Sequence, residues 1–408
     1  MSVSRLDNIP GFNIDRVAAA AGDDPDVLRM ENLDTDLRPP TAAIEATKRA
    51  IDTYDGNSWL PFTGRDDLKE AVASSIERRG GPRYDGQREI VITSGEGTAM
   101  LDALVCLTDP GDEVVLTDPT YAGMINRVRL VGGVPRLARL VVADGEWRLD
   151  LDALRASVTE RTRVIFIHNA SFPSGWVVSD EEWEVICALC RDHDLWLLYW
   201  GVYEGLLFDG RPMRLPSAID GMRNRTVTIG SGIEQRMIGW RVGWIVAPGD
   251  LVNDVSRVEI YNDLVPSNFS QVGLRAALDE PDDGQAAHTA EYQRRRDERC
   301  ASSTACPRSR PPAAGRFSST SPPWASTARR SRNASSSTRL PPPRCADGVA
   351  KSPIVTSASC SAASPSSESR YSGSECGPLS AAPEERTLAR RMRCRVSVYI
   401  ERSGSPCA

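Results

Sequence analysis

From residue 65 to residue 247 the chain alternates between two hydrophobic periods. RDDLKEAVASSIERRGGPR (65–83) carries Leu68, Val72 and Ile76 on one helical face and stops at Gly-Gly. EIVITS (89–94) is a short β-rich run, GTAMLDALVCL (97–107) is helical, and DEVVLTD (112–118) is a strand ending in Asp-Pro. The same alternation predicts helices at 121–131, 151–158 and 180–192, and strands at 134–142, 163–169, 195–200, 225–231 and 239–247. Several of these strands are apolar throughout, the mark of a mostly parallel sheet covered on both faces. The fold class is therefore α/β, a three-layer sandwich. Its strands end at SGEGT, DPTY, HNASFPSG, WGVYEG and IGSGIEQR, and open α/β sheets bind ligands at the carboxyl ends of their strands. Residues 251–300 read as charged helices, and residues 1–45 as a polar, irregular arm that wraps a neighbour.

Composition changes this picture in one place. Residues 301–408 hold 25 Ser, 13 Pro and 16 basic residues against six acidic ones, a net charge near +10. The net charge of −6 for the whole chain then leaves about −16 on the first 300 residues. No period of 2 or 3.6 is sustained in this tail, which reads as disordered. Two explanations stay open: a natural basic extension, or a reading frame that slips near RRRDERC. Seven of the ten cysteines lie at or beyond Cys300, and the start of the chain has no apolar leader, so a disulfide framework is not expected. Cys187 and Cys190 lack a second pair, and no metal site is expected. No run approaches the ~18 apolar residues of a membrane span, and the chain reads as cytoplasmic. The basic tail permits phosphate contact, but an acidic body without a recognition fold argues against nucleic acid.

Five stretches, YDGNSWLPFTGRDDLKEAV, ITSGEGTAMLDALVCLTDPGDEVVLTDPTYAG, NASFPSG, VYEGLLFDG and IGWRVGW, together resemble the class I/II aminotransferases. These are fold-type-I pyridoxal-phosphate enzymes of the aspartate-aminotransferase type. The likeness covers roughly residues 30–300 in the family's order. It implies a seven-stranded large domain over 46–250, an arm and small-domain part at 1–45, a helical connection at 251–300, and an incomplete or aberrant C-terminal part at 301–408. It also implies a homodimer, an amine or amino-acid ligand, and pyridoxal or pyridoxamine phosphate as cofactor.

The resemblance assigns roles by position. Glu96, Gly97 and Thr98, after Gly95, fall on the phosphate-binding turn, where backbone N–H groups at a helix start face an anion. Glu96 is out of character there, because its charge repels phosphate unless the side chain turns away. Arg241 matches the phosphate-binding arginine, Tyr121 the aromatic stacked on the cofactor ring, and Tyr203 the donor to the ring's phenolate oxygen. Trp59 matches a tyrosine that reaches the phosphate from the partner subunit. Three positions depart from the pattern. Phe172 stands at the second asparagine of the Asn-Pro-x-Asn-Pro-Thr-Gly motif, Trp200 at the aspartate that binds the pyridine nitrogen, and Ile233 at the lysine that forms the aldimine. Lysine occurs only at Lys48, Lys69 and Lys351, so no shift of register supplies one.

All three replacements are apolar, and two readings follow: a pocket remodelled for a flatter, less polar ligand, or vacated volume filled as core. His168 is the histidine nearest the pocket, either a stand-in base or a hydrogen-bonded supporting group. Glu234, Gln235 and Arg236 form either a new polar patch or a charged helix start. Arg395 faintly matches the substrate-carboxylate arginine. The expectation is an aminotransferase-like protein that does not carry out ordinary lysine-based transamination. Its alternatives are an inactive scaffold or binding subunit, or an enzyme of altered chemistry that holds its cofactor non-covalently.

Overall fold

Alternate residues of the central strands bury on opposite sides of a single sheet. The computed structural model describes residues 6–10, 19, 35–59, 61–280 and 284–302; the Ser/Pro/Arg-rich tail, with Lys351 and Arg395, lies outside them. The strands are β1 (Ile90–Thr93), β2 (Glu113–Asp118), β3 (Val134–Ala143), β4 (Glu146–Leu149), β5 (Thr162–His168), β6 (Trp196–Trp200), β7 (Thr226–Ser231) and β8 (Gly243–Val246). Their order is β1-β8-β7-β6-β5-β2-β3-β4. The neighbours β7-β6, β6-β5, β5-β2 and β2-β3 are parallel, whereas β8 runs antiparallel to both β7 and β1. The expected seven-stranded sheet thus gains an eighth strand. β4 pairs antiparallel with the end of β3 through Leu140↔Leu149, and its sequence EWRL has only two apolar positions, too short a pattern to read.

Two apolar cores record the two faces. Ile90, Ile92, Ile165, Ile167, Leu197 and Tyr199 point to one, and Val91, Val164, Phe166, Leu198 and Trp200 to the other. The first face is covered by α1 (Thr41–Ile51), α2 (Asp66–Arg78), α5 (Leu151–Ser157), α6 (Asp180–Asp192) and α8 (Asn268–Asp279). The second is covered by α3 (Glu96–Leu107), α4 (Ala122–Leu130) and α7 (Gly249–Asn262). This is the three-layer α/β sandwich that continuous apolar strands require. α6 starts on a capping box, with Ser179 and Glu182 satisfying each other's backbone N–H groups. α9 (Gln285–Ser302) follows α8. No helix among the described residues is long and apolar enough to cross a membrane.

The N-terminal part departs from the expected irregular arm, because a regular helix begins at Thr41. The buried residues of α1 are Ala43, Ala46 and Ala50, whose small side chains give little hydrophobic signal in a sequence. Small residues nevertheless let helices approach closely, and α1 lies directly on α8. A Cβ placed on Gly273 of α8 would sit 2.1 Å from the Thr47 hydroxyl and 2.4 Å from the Trp240 ring.

Helix propensity alone makes Gly273→Ala stabilising by about 1 kcal/mol. The close approach makes it a net loss instead, of about 1–2 kcal/mol, through overpacking. Urea denaturation of the two proteins checks the sign, and a stabilised alanine variant would mean that α1 and α8 have room to spare.

Candidate active site

The candidate site begins at the turn between β1 and α3. Gly95 caps the helix with φ +86°, a left-handed conformation that other residues adopt only under strain. Gly243 of β8 passes beneath it so closely that a Cβ there would lie 2.7 Å from the Gly95 carbonyl carbon. No side chain caps α3, so the N–H groups of its first turn keep their capacity for an external acceptor. Two guanidinium groups close over this turn. Arg241, itself at φ +56°, donates through Nη2 to the Ser94 carbonyl at 3.4 Å and through Nη1 to that of Ile238 at 3.3 Å. Arg127 of α4 donates through Nε to the Gly97 carbonyl at 3.0 Å and through Nη1 to that of Gly123 at 3.1 Å. Thr98 back-bonds to Ser94 at 3.4 Å. Glu96 is half-buried, and its charge acts on the Tyr203 phenol.

The neighbouring strand ends bring together rings rather than charges. Trp200, the last residue of β6, is buried and stacks on His168 at the end of β5, with centroids 3.8 Å apart and planes 24° apart. Tyr121 lies 5.4 Å from Trp200 and 6.2 Å from Phe172, and Tyr203 lies 5.4 Å from His168. Ile233 packs against the same core as Trp200, Tyr203 and Tyr121. The Phe172 N–H donates to His168 Nδ1 at 3.1 Å, which leaves the ring proton on Nε2. Burial drives the His168 pKa well below its ordinary value and holds the ring neutral. Burial, with Glu96 and the nearby tyrosines adding, raises that of Tyr203. His168 Nε2, Trp200 Nε1 and the Tyr203 hydroxyl have no hydrogen-bond partner among the described residues.

Behind Ile233 the polar residues form an anchored patch, not a helix start. Glu234 accepts from the Gly205 N–H at 2.6 Å and from Arg79 at 3.1 Å, and Arg79 also reaches Glu204 at 3.3 Å. Gln235 is buried beside it, and Arg236 donates to the Arg38 carbonyl at 2.7 Å. Burial pushes the Glu204 carboxyl up to about 7, with Arg79 opposing and Glu234 reinforcing the shift. Lys48 is an exposed partner of Glu45, and Lys69 is buried on Thr63 and Asp66. Trp59 is 61 % exposed and meets Phe62 edge-on. Among the described residues no group of His, Cys, Asp and Glu could hold a metal.

Of the positions singled out in the sequence, Glu96, Gly97, Thr98 and Arg241 meet at the turn. Phe172, Trp200, Tyr203, Tyr121 and His168 meet in the ring cluster, with Ile233 on its flank. Trp59 belongs to neither group. Sequence reasoning missed Arg127, Glu204 and Arg79. It also missed Tyr292 of α9, whose hydroxyl bonds Thr35 at 2.6 Å and whose charge would act on Tyr203. Arg127, Arg79 and Tyr292 carry no local motif, because each reaches the site from a separate element; Glu204 follows Tyr203 in VYEGLLFDG, but its partner Arg79 is remote in the chain.

A three-layer α/β sandwich around a mostly parallel eight-stranded sheet is the architecture of the fold-type-I enzymes. The chain belongs to the family of class I and II aminotransferases, whose model matches residues 28–303. It is 30 % identical over 286 residues to an aspartate aminotransferase of Rhizobium meliloti, covering 69 % of each chain. It is likewise 30 % identical over 285 residues to the arginine–pyruvate transaminase AruH of Pseudomonas aeruginosa, covering 69 % of this chain and 71 % of that one. Its fold matches the N-succinyldiaminopimelate aminotransferase from Mycobacterium tuberculosis with a TM-score of 0.70 at 30 % identity, over 74 % of this chain and 78 % of that chain.

The family is pyridoxal-phosphate-dependent, and the two ends of this site answer differently to that cofactor. The turn at Gly95 fits a phosphate. The ring side does not fit the pyridine. Phe172 and Trp200 stand where the resemblance puts an asparagine and an aspartate, and both bring rings within 6.2 Å of Tyr121 in place of polar groups. No carboxylate appears among the ring-cluster residues to keep a pyridine nitrogen protonated.

The raised Glu204 pKa has a definite sign. Its stabilising proton is fully present below the ordinary value of 4.5 and is lost as pH rises through about 7. Folding stability should therefore fall by up to about 3 kcal/mol across that window on account of this group. Glu204→Gln should flatten the slope. Denaturant midpoints at several pH values between 5 and 8 test this, and identical slopes in both proteins would rule out Glu204 as the titrating group.

Proposed function

We propose that this chain is an aminotransferase-like protein that does not perform ordinary lysine-based transamination, and that its cofactor-ring site has become part of the core. The observation that carries the reading is the Trp200 indole, stacked 3.8 Å from His168 and packed 5.4 Å from Tyr121, where the resemblance puts a carboxylate. The chemistry needs an amine to hold the cofactor aldehyde and to move the substrate's Cα proton. Ile233 supplies neither, and a positioned acid–base group alone is worth roughly 10²–10⁴ in rate. His168 is a poor substitute, since its Nδ1 is engaged by Phe172 and its ring is buried and neutral. The same observation favours a binding or scaffold role over an altered reaction with non-covalently held cofactor. Trp59, together with Tyr54 at 94 % exposure, supports a second copy of the chain as the partner.

Adding pyridoxal phosphate should produce no new visible absorbance band. Borohydride reduction and peptide mapping should find no cofactor fixed within residues 225–245; a modified peptide there would overturn the reading. Ile233→Lys should not restore transamination, because Phe172 and Trp200 still occupy the ring side. Robust turnover by that single variant would show the ring side to be competent.

A further inference from the structure

Ser231 and Glu234, on either side of Ile233, line a small cavity of about 20 Å³, room for one or two groups the size of water. Its apolar wall is Ile76, Tyr84, Leu215 and Trp244, all of the core on the first face of the sheet. Its polar wall adds Glu204, Arg79 and Ser217. Room is left because position 201 is glycine: a Cβ there would stand 2.5 Å from Glu204 Oε1 and 2.8 Å from the Tyr199 ring. Gly201 lines the cavity too, so Oε1 is directed at this space.

Glu204 is 4 % exposed, and the two oxygens of its carboxylate are unequally served. Oε2 meets Arg79 Nη1 at 3.3 Å, and the same nitrogen meets Glu234 at 3.1 Å. A single nitrogen is thus divided between two carboxylates. Oε1 has no hydrogen-bond partner among the described residues, and neither do the hydroxyls of Ser231 and Tyr199. The further cation beside the cavity, Arg223, lies 4.9 Å over the Tyr84 ring and pairs with Glu89 at 2.9 Å. A neutral water meets the hydrogen-bonding need of Oε1 but not its negative charge, which is costly to bury. A small cation answers both, and aromatic walls accept one. We propose that the cavity binds one small monovalent cation, ammonium or potassium in size, against Glu204 Oε1. Calcium or magnesium is a poorer match, because each calls for about six oxygen ligands and one wall here is apolar. The ion ties Glu204, in the turn after β6, to the loop at Ile233. This site goes beyond the reading of the ring cluster and does not depend on it.

Urea denaturation of the full chain at pH 8 and one ionic strength, in choline, potassium or ammonium chloride, tests it. Choline is too large for the cavity and serves as the blank. Potassium or ammonium should raise the wild-type midpoint along a curve that saturates as it replaces choline. At ten times its dissociation constant the ion multiplies the folding equilibrium constant about eleven-fold. An effect of either ion alone supports the site and identifies its occupant. Glu204→Gln should abolish the dependence on the cation. If that variant folds poorly, Gly201→Ala, whose methyl group takes the space beside Oε1, should abolish it as well. Equal wild-type midpoints in all three salts would mean that the cavity holds water alone, and would overturn the proposal. A cation effect that persists undiminished in the variants would be a general salt effect and would overturn it too. Each outcome is independent of whether pyridoxal phosphate binds.

Discussion

Both faces of the central strands are buried, and the polar groups of the candidate site therefore gather at the rim of the sheet. Parallel strands such as β5 and β6 have no solvent face on which to carry charge, so β5 is Thr162–His168 and β6 is Trp196–Trp200, with apolar residues throughout their middles. Only where a strand runs out can a side chain meet a ligand. The chemical character of the pocket is then fixed by the last residue of each strand and the few that follow. With Trp200 and His168 ending adjacent strands as a stacked pair, the apolar interior extends one layer beyond the sheet. Tyr121 and Phe172 close over that layer.

Charge has withdrawn to two places on either side of this plug. On one side is the β1–α3 turn with Arg127 and Arg241. On the other is the Arg79 clamp on Glu204 and Glu234. The clamp occupies the loop next to Ile233, so the segment where the resemblance puts a lysine is held by an ion pair and the Gly205 N–H. Buried charges are tolerated only when paired and hydrogen-bonded, and removing one partner strands the others. The loop is thereby tied through Glu234 to the Gly205 backbone and to Arg79 of the segment after α2.

The alternating pattern gave most elements to within one or two residues. Helix 180–192 and strand 225–231 are examples, because their burial pattern is local and their caps, such as the Ser179–Glu182 box, are written in adjacent residues. α1 was not legible. Its buried face is alanine, and it is stabilised by close approach to Gly273 on a helix more than 200 residues away. β4 was not legible either, being four residues held only by pairing with β3.

The same division holds at the site. The sequence by itself determined which residues stand at the strand ends: Phe172, Trp200, Ile233, the Gly95 turn and Arg241. Chain order and spacing fix those positions, and the scarcity of lysine is a matter of counting. Only the tertiary structure decided what the residues do to each other. That Trp200 stacks on His168 and closes on Tyr121, that Arg127 doubles the charge over Gly97, and that Arg79 clamps Glu204 to Glu234 depend on elements remote in the chain. Burial and electrostatic pairing act across space, and a one-dimensional pattern records which side chain is present but not which partner the fold brings to it.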